Sequence, residues 1–263
     1  MSELQPVTLI TGASAGIGAE LAKVFARNGH MLALVARRED TLHAFVREQG
    51  WGEHDAQVYA ADVAQAASIT AAGRACVERQ GVPDAVIANA GISVGIDSAR
   101  REDLDVLHDT LQTNVFGIAA TFQPFIAAMR QRRSGVLVGV ASVAGIRGLP
   151  GHAAYCASKA AAIAYCESLR GECRPFGVRV VTLVPGYIDT PLTRGNPYPM
   201  PFLMPADRFA DTAFRTITAG RSYRVIPWQM GVVAKLLRGL PNTWFDRLLA
   251  GRPRKPRRPD APQ

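Results

Sequence analysis

Tyr155 and Lys159 lie four residues apart in the run AYCASKAAAIAY, which begins at Ala154. The run is rich in alanine and reads as a helix, where a spacing of four puts both side chains on one face. An ammonium beside a phenol favours the phenolate, so Lys159 is expected to bring Tyr155 down from its ordinary pKa of ~10. A shift of ~3 pKa units requires ~4 kcal/mol of differential stabilisation. A close pair supplies that at an effective dielectric of ~20. Ser142 ends the apolar run GVLVGVAS thirteen residues before Tyr155 and offers a hydroxyl that can orient an oxygen. Asn114 stands among apolar neighbours in LQTNVFG, where a buried amide needs partners. A proton donor, a tuning cation and an orienting hydroxyl are what carbonyl reduction needs once a hydride donor is held nearby.

Such groups need a scaffold, and the pattern of the chain supplies one. Short apolar runs at 7–12, 31–37, 56–63, 84–91, 135–142 and 178–186 read as strands. Helical patterns separate them, including 65–80, 103–131 and 153–173. The strands are apolar on both faces, as in a buried parallel sheet. Alternation of this kind predicts an α/β fold with a doubly wound parallel sheet and helices on both faces. In such sheets ligands bind beyond the carboxyl ends of the strands, which is where the residues above fall.

The same rule locates a dinucleotide end. The first strand runs into TGASAGIG, with Gly12, Gly16 and Gly18 spaced G-x-x-x-G-x-G and with Ser14 and Ile17 between them. Glycines let backbone approach a pyrophosphate, and the helix that follows offers its N-terminus to the charge. At the end of the second strand, an acid would bond a ribose 2′-hydroxyl and repel a 2′-phosphate. Here Ala36 is followed by Arg37 and Arg38, two cations suited to a 2′-phosphate, so NADP(H) is expected over NAD(H). Asp62 and Val63 follow the third strand as candidates to hold an adenine edge, although Asp62 is equally suited to cap the next helix. Asn89, Ala90 and Gly91 follow the fourth, with Gly91 leaving room for the cofactor.

The combination of TGASAGIG, NAG, Asn114, Ser142, YCASK and the PG at 185–186 resembles the short-chain dehydrogenase/reductase family, over residues from about 7 to 227. The resemblance implies a Rossmann fold and a catalytic tetrad of Asn114, Ser142, Tyr155 and Lys159. It implies that Lys159 also holds the nicotinamide ribose and that Asn114 holds a water linking Lys159 to solvent. PGYIDT (185–190) is then expected to pass the nicotinamide, with Pro185, Gly186, Ile188 and Thr190 as candidate contacts. The segment 191–205 falls where the family has a mobile substrate loop, and Met200, Phe202, Leu203 and Met204 suggest an apolar lid. Arg147 is a candidate for an anionic group on the substrate. A homodimer or homotetramer is expected, built on the Ala-rich face of helix 153–173 and on helix 111–131.

Family members often end with a strand and a glycine-rich turn, whereas this chain has YRVIPWQM (223–230) followed by an amphipathic helical extension at 228–250. Met230, Val233, Leu236, Leu237 and Leu240 fall at helical spacing, and Trp244, Phe245, Leu248 and Leu249 give a second short helix. These helices suit packing over the substrate pocket, contact with an anionic membrane surface, or a protein interface. Membrane contact would imply a lipid-like ketone or alcohol as substrate. The segment 251–263 holds five basic residues against one acid, +4 of the chain's net +8, and alternates them with proline. It is expected to be a disordered or extended tail beyond a single domain at 1–250. No aromatic residue interleaves its charges, so nucleic acid is not expected as a partner.

The bulk composition, 48% hydrophobic and 20% charged over 263 residues, allows a full core and excludes wholesale disorder. The four cysteines, Cys76, Cys156, Cys166 and Cys173, form no C-x-x-C pair, so no metal site is expected and the protein reads as reduced and cytoplasmic. No apolar run reaches the ~20 residues of a membrane span, and the first residues lack the pattern of a signal peptide. The reading that emerges is an NADP(H)-dependent oxidoreductase acting on a carbonyl or secondary alcohol. The alternative is a non-catalytic NADP-binding regulator or membrane-surface scaffold of the same fold.

Overall fold

The computed structural model describes residues 5–258. Seven parallel strands run β1 (Val7–Thr11), β2 (Met31–Ala36), β3 (Ala56–Ala60), β4 (Ala85–Ala88), β5 (Val136–Val140), β6 (Arg179–Pro185) and, after the short strands β7 (Ile188–Asp189) and β8 (Met204–Pro205), β9 (Tyr223–Ile226). Their order in the sheet is β3-β2-β1-β4-β5-β6-β9, so the chain winds outward in both directions from β1 and β4. This is the doubly wound, Rossmann-type arrangement expected from the alternation of apolar runs.

Alternate residues of each strand face opposite layers. Leu9, Val35, Val86 and Leu137 pack with Phe122, Phe125 and Cys166 on one side. Ile10, Leu34, Ile87 and Val138 pack with Leu21, Phe25 and Phe209 on the other. The helices that cover these faces are α1 (Gly16–Arg27), α2 (Glu39–Glu48), α3 (Ala66–Gln80), α4 (Asp103–Leu111), α5 (Gly117–Arg132), α6 (Ala153–Cys173) and α7 (Ala206–Thr218). The two remaining helices, α8 (Trp228–Gly239) and α9 (Asn242–Leu249), extend beyond the last strand.

Three sequence expectations are corrected. The pattern at 103–131 is helical throughout but not uniformly α: residues 112–116 form a π-helical turn between α4 and α5. The reason is Asn114, whose fully buried amide faces inward to meet Ile92 and Ser158, and an inserted residue in the turn permits it. The segment from 223 does not replace the family's last strand, because Tyr223–Ile226 pairs in parallel with β6 and the departure begins only after Ile226. The tail is not free over its described part. Residues 252–258 fold back on the molecule, Arg257 forms a β-bridge with Gly95, and its guanidinium grips Asp103 through two hydrogen bonds. The expectation for 259–263 lies outside the described residues. Among the described residues no helix is long and apolar enough to cross a membrane.

The seating of α6 on the sheet places the candidate chemistry. Gly139 of β5 lies directly beneath α6, and a Cβ there would stand 2.4 Å from Cys166 Sγ. Gly139→Ala should destabilise the protein by about 1–3 kcal/mol through overpacking. Thermal unfolding should register this as a loss of roughly 2–10 °C in Tm. Removing the obstructing sulfur with Cys166→Ala should make the double variant less destabilised than the sum of the two single changes.

Candidate active site

The residues singled out by the sequence gather along one groove at the carboxyl ends of β1 to β6. Gly12, Ser14, Arg37, Arg38, Asp62, Val63, Ala90 and Gly91 line its outer end. Gly12, Ser14, Gly16, Ile17, Asn89, Ala90, Gly91, Ser142, Tyr155, Lys159, Pro185, Gly186, Ile188 and Thr190 line its middle. Ser142, Tyr155 and Gly186 also line a third, mostly apolar cleft of about 870 Å³ including its open mouth. The three clefts share residues end to end, so they form one continuous path.

The glycine loop fits a pyrophosphate. Gly12 has φ +67°, and a Cβ on Gly18 would stand 2.1 Å from the carbonyl oxygen of Gly12. The first turn of α1 begins after Ala15 with no side chain capping its amides and no acid beside them. Those amides and the helix dipole are free to meet an anion. The loop is clasped from behind, because Asn89 Nδ2 donates to the carbonyls of Thr11 and Gly12, at 3.0 and 3.3 Å. Thr11 Oγ1 in turn accepts the backbone N–H groups of Asn89 and Ala90. Thr190 closes the other side, with its side chain packed against Gly16.

Arg37 and Arg38 are exposed at the mouth of the outer cleft, and no carboxylate among the described residues pairs with either. Asp62 caps the turn that follows it, with Oδ1 accepting the N–H of Ala64 at 3.0 Å while the residue lines the cleft. Asp62 is corrected as a helix cap, because α3 begins only at Ala66 with Gln65 at its N-cap, and the carboxylate instead closes the turn before it. Val63 turns its side chain into the core.

At the inner end Lys159 is buried, and its Nζ donates to the carbonyl of Val140 at 2.8 Å. Burial pulls its pKa down to about 8. Its Nζ stands 5.8 Å from the centre of the Tyr155 ring. Tyr155 departs from expectation. Burial pushes its pKa up to about 12, and the opposing influence is a hydrogen bond with Ser142 rather than the charge of Lys159. Desolvation disfavours the charged form of both side chains, raising the phenol's pKa and lowering the ammonium's. Ser142 Oγ also accepts the N–H of Ala144, which fixes the hydroxyl at the start of a short 3-10 turn. Asn114 Oδ1 accepts from Ile92 N, and its Nδ2 donates to Ile92 O and Ser158 Oγ. The amide thereby ties the loop after β4 to α6.

The apolar cleft holds side chains that the sequence reading did not single out. His152 Nδ1 lies 3.1 Å from the carbonyl of Pro150 and its Nε2 3.0 Å from the Tyr198 hydroxyl. A carbonyl only accepts, so Nδ1 carries the proton and Tyr198 donates to Nε2. Burial lowers the His152 pKa, which keeps the ring neutral. The two residues lie 46 positions apart, and no local spacing marks the pair. Met230, Val233, Ala234, Leu237 and Phe245 form the roof, so the extension packs over the cleft. Arg147 is corrected as a substrate contact. Its guanidinium donates to the carbonyls of Leu237, Arg238 and Leu240 at the end of α8 and stacks 3.9 Å over the Phe245 ring.

Comparison with known proteins agrees with this geometry. The short chain dehydrogenase family model matches residues 6–198. An uncharacterized oxidoreductase of Myxococcus xanthus is 39% identical over 90% of this chain and 94% of its own. A putative ketoacyl reductase of the monensin polyketide synthase from Streptomyces virginiae is 34% identical over 72% of each chain. The structure of an alcohol dehydrogenase from Thermococcus sibiricus, complexed with 5-hydroxy-NADP, is 28% identical with a TM-score of 0.72, covering 84% of this chain and 95% of that one. Sheet order, glycine loop and matched sequence together show that this chain belongs to the short-chain dehydrogenase/reductase family of nicotinamide-dependent oxidoreductases.

Proposed function

We propose that the protein is an NADP(H)-dependent oxidoreductase that exchanges a hydride with the carbonyl carbon of an apolar ketone, or with the corresponding secondary alcohol. One observation carries this reading. Ser142 and Tyr155 both line the glycine-loop groove and the apolar cleft, so their hydroxyls stand where the one opens into the other. A carbonyl oxygen placed between the two hydroxyls would have its carbon turned toward the groove. The chemistry supplied from that groove by the bound nicotinamide is hydride transfer.

The remaining roles follow from position. The loop from Gly12 to Gly18, with the amides of α1, would hold the pyrophosphate. Arg37 and Arg38, with Ser14 beside them, would hold a 2′-phosphate. Asp62 and Val63 would meet the adenine, Asn89 to Gly91 would pass the middle of the cofactor, and Pro185, Gly186, Ile188 and Thr190 would flank the nicotinamide. Lys159 would hold ribose hydroxyls with the donors that Val140 leaves free. Tyr155 stays protonated at neutral pH, so it is ready to give its proton to the oxygen as negative charge develops, and Ser142 stabilises the same oxygen. Asn114 sets the position of α6 and keeps a second Oδ1 lone pair for a relay water beside Lys159. The neighbours support the cofactor and substrate class: one is described with an NADP derivative and another as a ketoacyl reductase.

Exposed Ala157, Ala160 and Ala164 on α6, with Phe116 before α5, support a homodimer or homotetramer through these helices. The outer faces of α8 and α9 carry Trp228, Leu236 and Trp244, each about two-thirds exposed, and support peripheral contact of a cytoplasmic protein with a membrane.

The phosphate assignment is tested by titrating NADPH and NADH. NADPH should bind at least about tenfold more tightly, and Arg37→Ala should cancel most of that difference without weakening NADH. Equal affinities in the unaltered protein would remove the assignment. Tyr155→Phe should lower kcat for ketone reduction by about 10²–10⁴ while NADPH remains bound, as measured by fluorescence titration. The pH profile follows from Lys159. Its ammonium form dominates below about 8. Reduction should therefore hold steady toward neutrality and fall as pH rises through that value. Steady-state kinetics should show that limb in the unaltered protein and lose it in Lys159→Met, which should run at a much lower rate throughout.

A further inference from the structure

The described tail crosses the mouth of the apolar cleft as a strap. Gly95 N donates to the carbonyl of Pro256 at 2.9 Å, and the approach is so close that a Cβ on Gly95 would stand 2.1 Å from the carbonyl oxygen of Lys255. On one side of this contact, Arg257 makes its two hydrogen bonds to Asp103, at 2.7 and 2.9 Å. That carboxylate is almost fully buried, and it also accepts the N–H of Asp97. The Arg257 hydrogen bonds come first among the influences that lower the Asp103 pKa to about 2. Arg258 adds a contact to Asp109. The strap is therefore held by a bidentate, charge-assisted pair in a mostly desolvated place.

The strap brings one charged group into the cleft. Lys255 lines it, partly buried, and its Nζ donates to the carbonyl of Leu192 in the 191–205 loop, at 3.2 Å. No Asp or Glu lines the cleft. Arg252 and Arg254 line the adjoining cleft beyond Tyr187 and Tyr198 rather than this one, and the remaining cations nearby are committed elsewhere. Arg147 is held by the end of α8, and Arg194 is paired with Asp189. His152 faces the same space as a neutral ring. An ammonium kept partly out of water with no carboxylate beside it favours an anionic ligand, because the missing counter-charge comes with that ligand. The rest of the lining is hydrocarbon from Ile146, Leu149, Val233, Leu237 and Phe245.

We infer that Lys255 recognises a carboxylate on the substrate, and that the natural substrate class is an oxo acid or hydroxy acid with an apolar chain between its carboxylate and its carbonyl. This rests on the oxidoreductase reading for the carbonyl but not for the anion. The hydrocarbon lining meets the chain, Lys255 meets the carboxylate at the mouth, and Ser142 and Tyr155 meet the carbonyl oxygen at the inner end.

The experiment measures binding first and turnover second, on the full-length protein. Calorimetric titration should find decanoate bound at least about tenfold more tightly than decanamide, as expected for a charge-assisted contact. Lys255→Met should abolish that preference and leave decanamide within about twofold, whereas Lys255→Arg should retain most of it. Thermal unfolding of each variant checks that the strap stays seated. In turnover, 9-oxodecanoate should exceed its methyl ester in kcat/KM, and Lys255→Met should lose the advantage through KM with kcat little changed. Equal binding of decanoate and decanamide, absence of binding by both, or a preference that survives Lys255→Met would each overturn the inference. Decanoate binding as expected without reduction of any ketone would leave the carboxylate site standing and count against the oxidoreductase reading alone.

Discussion

A buried ammonium with no carboxylate beside it sets the geometry of this centre. Lys159 is 4% exposed, and no acid among the described residues pairs with it. Such a charge is costly unless polar atoms surround it, and the fold supplies them from the sheet edge. The Val140 carbonyl at the end of β5 accepts one of its protons, and Gly91 leaves the space in front of it open, with a Cβ there only 3.5 Å from Nζ. That single bond locks the N-terminal half of α6 to the strand end. Tyr155, one turn earlier, is carried to Ser142 by the same constraint. Asn114 completes the tie by linking α6 to the loop after β4 through Ser158 and Ile92. Three elements distant in sequence are thus held in register by side chains whose polar atoms have few alternatives.

The same burial decides what the phenol can do. Desolvation keeps Tyr155 protonated and brings Lys159 close to losing its proton. A centre of this kind is poised to give a proton to a developing alkoxide and to be stabilised by any anion formed there. The Ser142 hydroxyl pulls Tyr155 back, so the serine that would orient the oxygen also tempers its proton donor. Spacing alone suggested that the lysine would do the tempering. Burial opposes that tempering, because the environment that excludes water weakens the charged form of the lysine itself.

Much of this was legible in the sequence where local chemistry dictates local structure. The glycine loop, the Tyr155–Lys159 pair and Ser142 are read correctly as a gathering at the carboxyl ends of strands, because strand–helix alternation fixes where those ends lie. The departures share a cause: each depends on contacts between residues far apart in the chain. The π turn at 112–116 exists because Asn114 must reach Ile92 and Ser158. The His152–Tyr198 pair forms only when the substrate loop folds over the start of α6. Helix α7 is different in kind, since Phe209, Ala210, Ala213 and Ile217 face inward at helical spacing and that period is legible locally.

The tail is the sharpest instance, since its composition alone argues for solvation. Proline and arginine alternate there, a pattern that in isolation buries nothing and keeps an extended backbone. What docks it is a carboxylate at Asp103, 154 residues earlier, already held in place by the N–H of Asp97. Arg257 meets that acid with two charge-assisted bonds at fixed geometry and covers it from solvent. The basic excess is thereby redistributed. Arg257 and Arg258 are neutralised against Asp103 and Asp109. Arg254 lies against Gly151, and Lys255 turns toward the cleft. A run of positive charge that would otherwise suggest a polyanionic surface becomes a wall of the substrate cleft. Under the proposed carboxylate recognition, Lys255 would then act on specificity rather than on solubility.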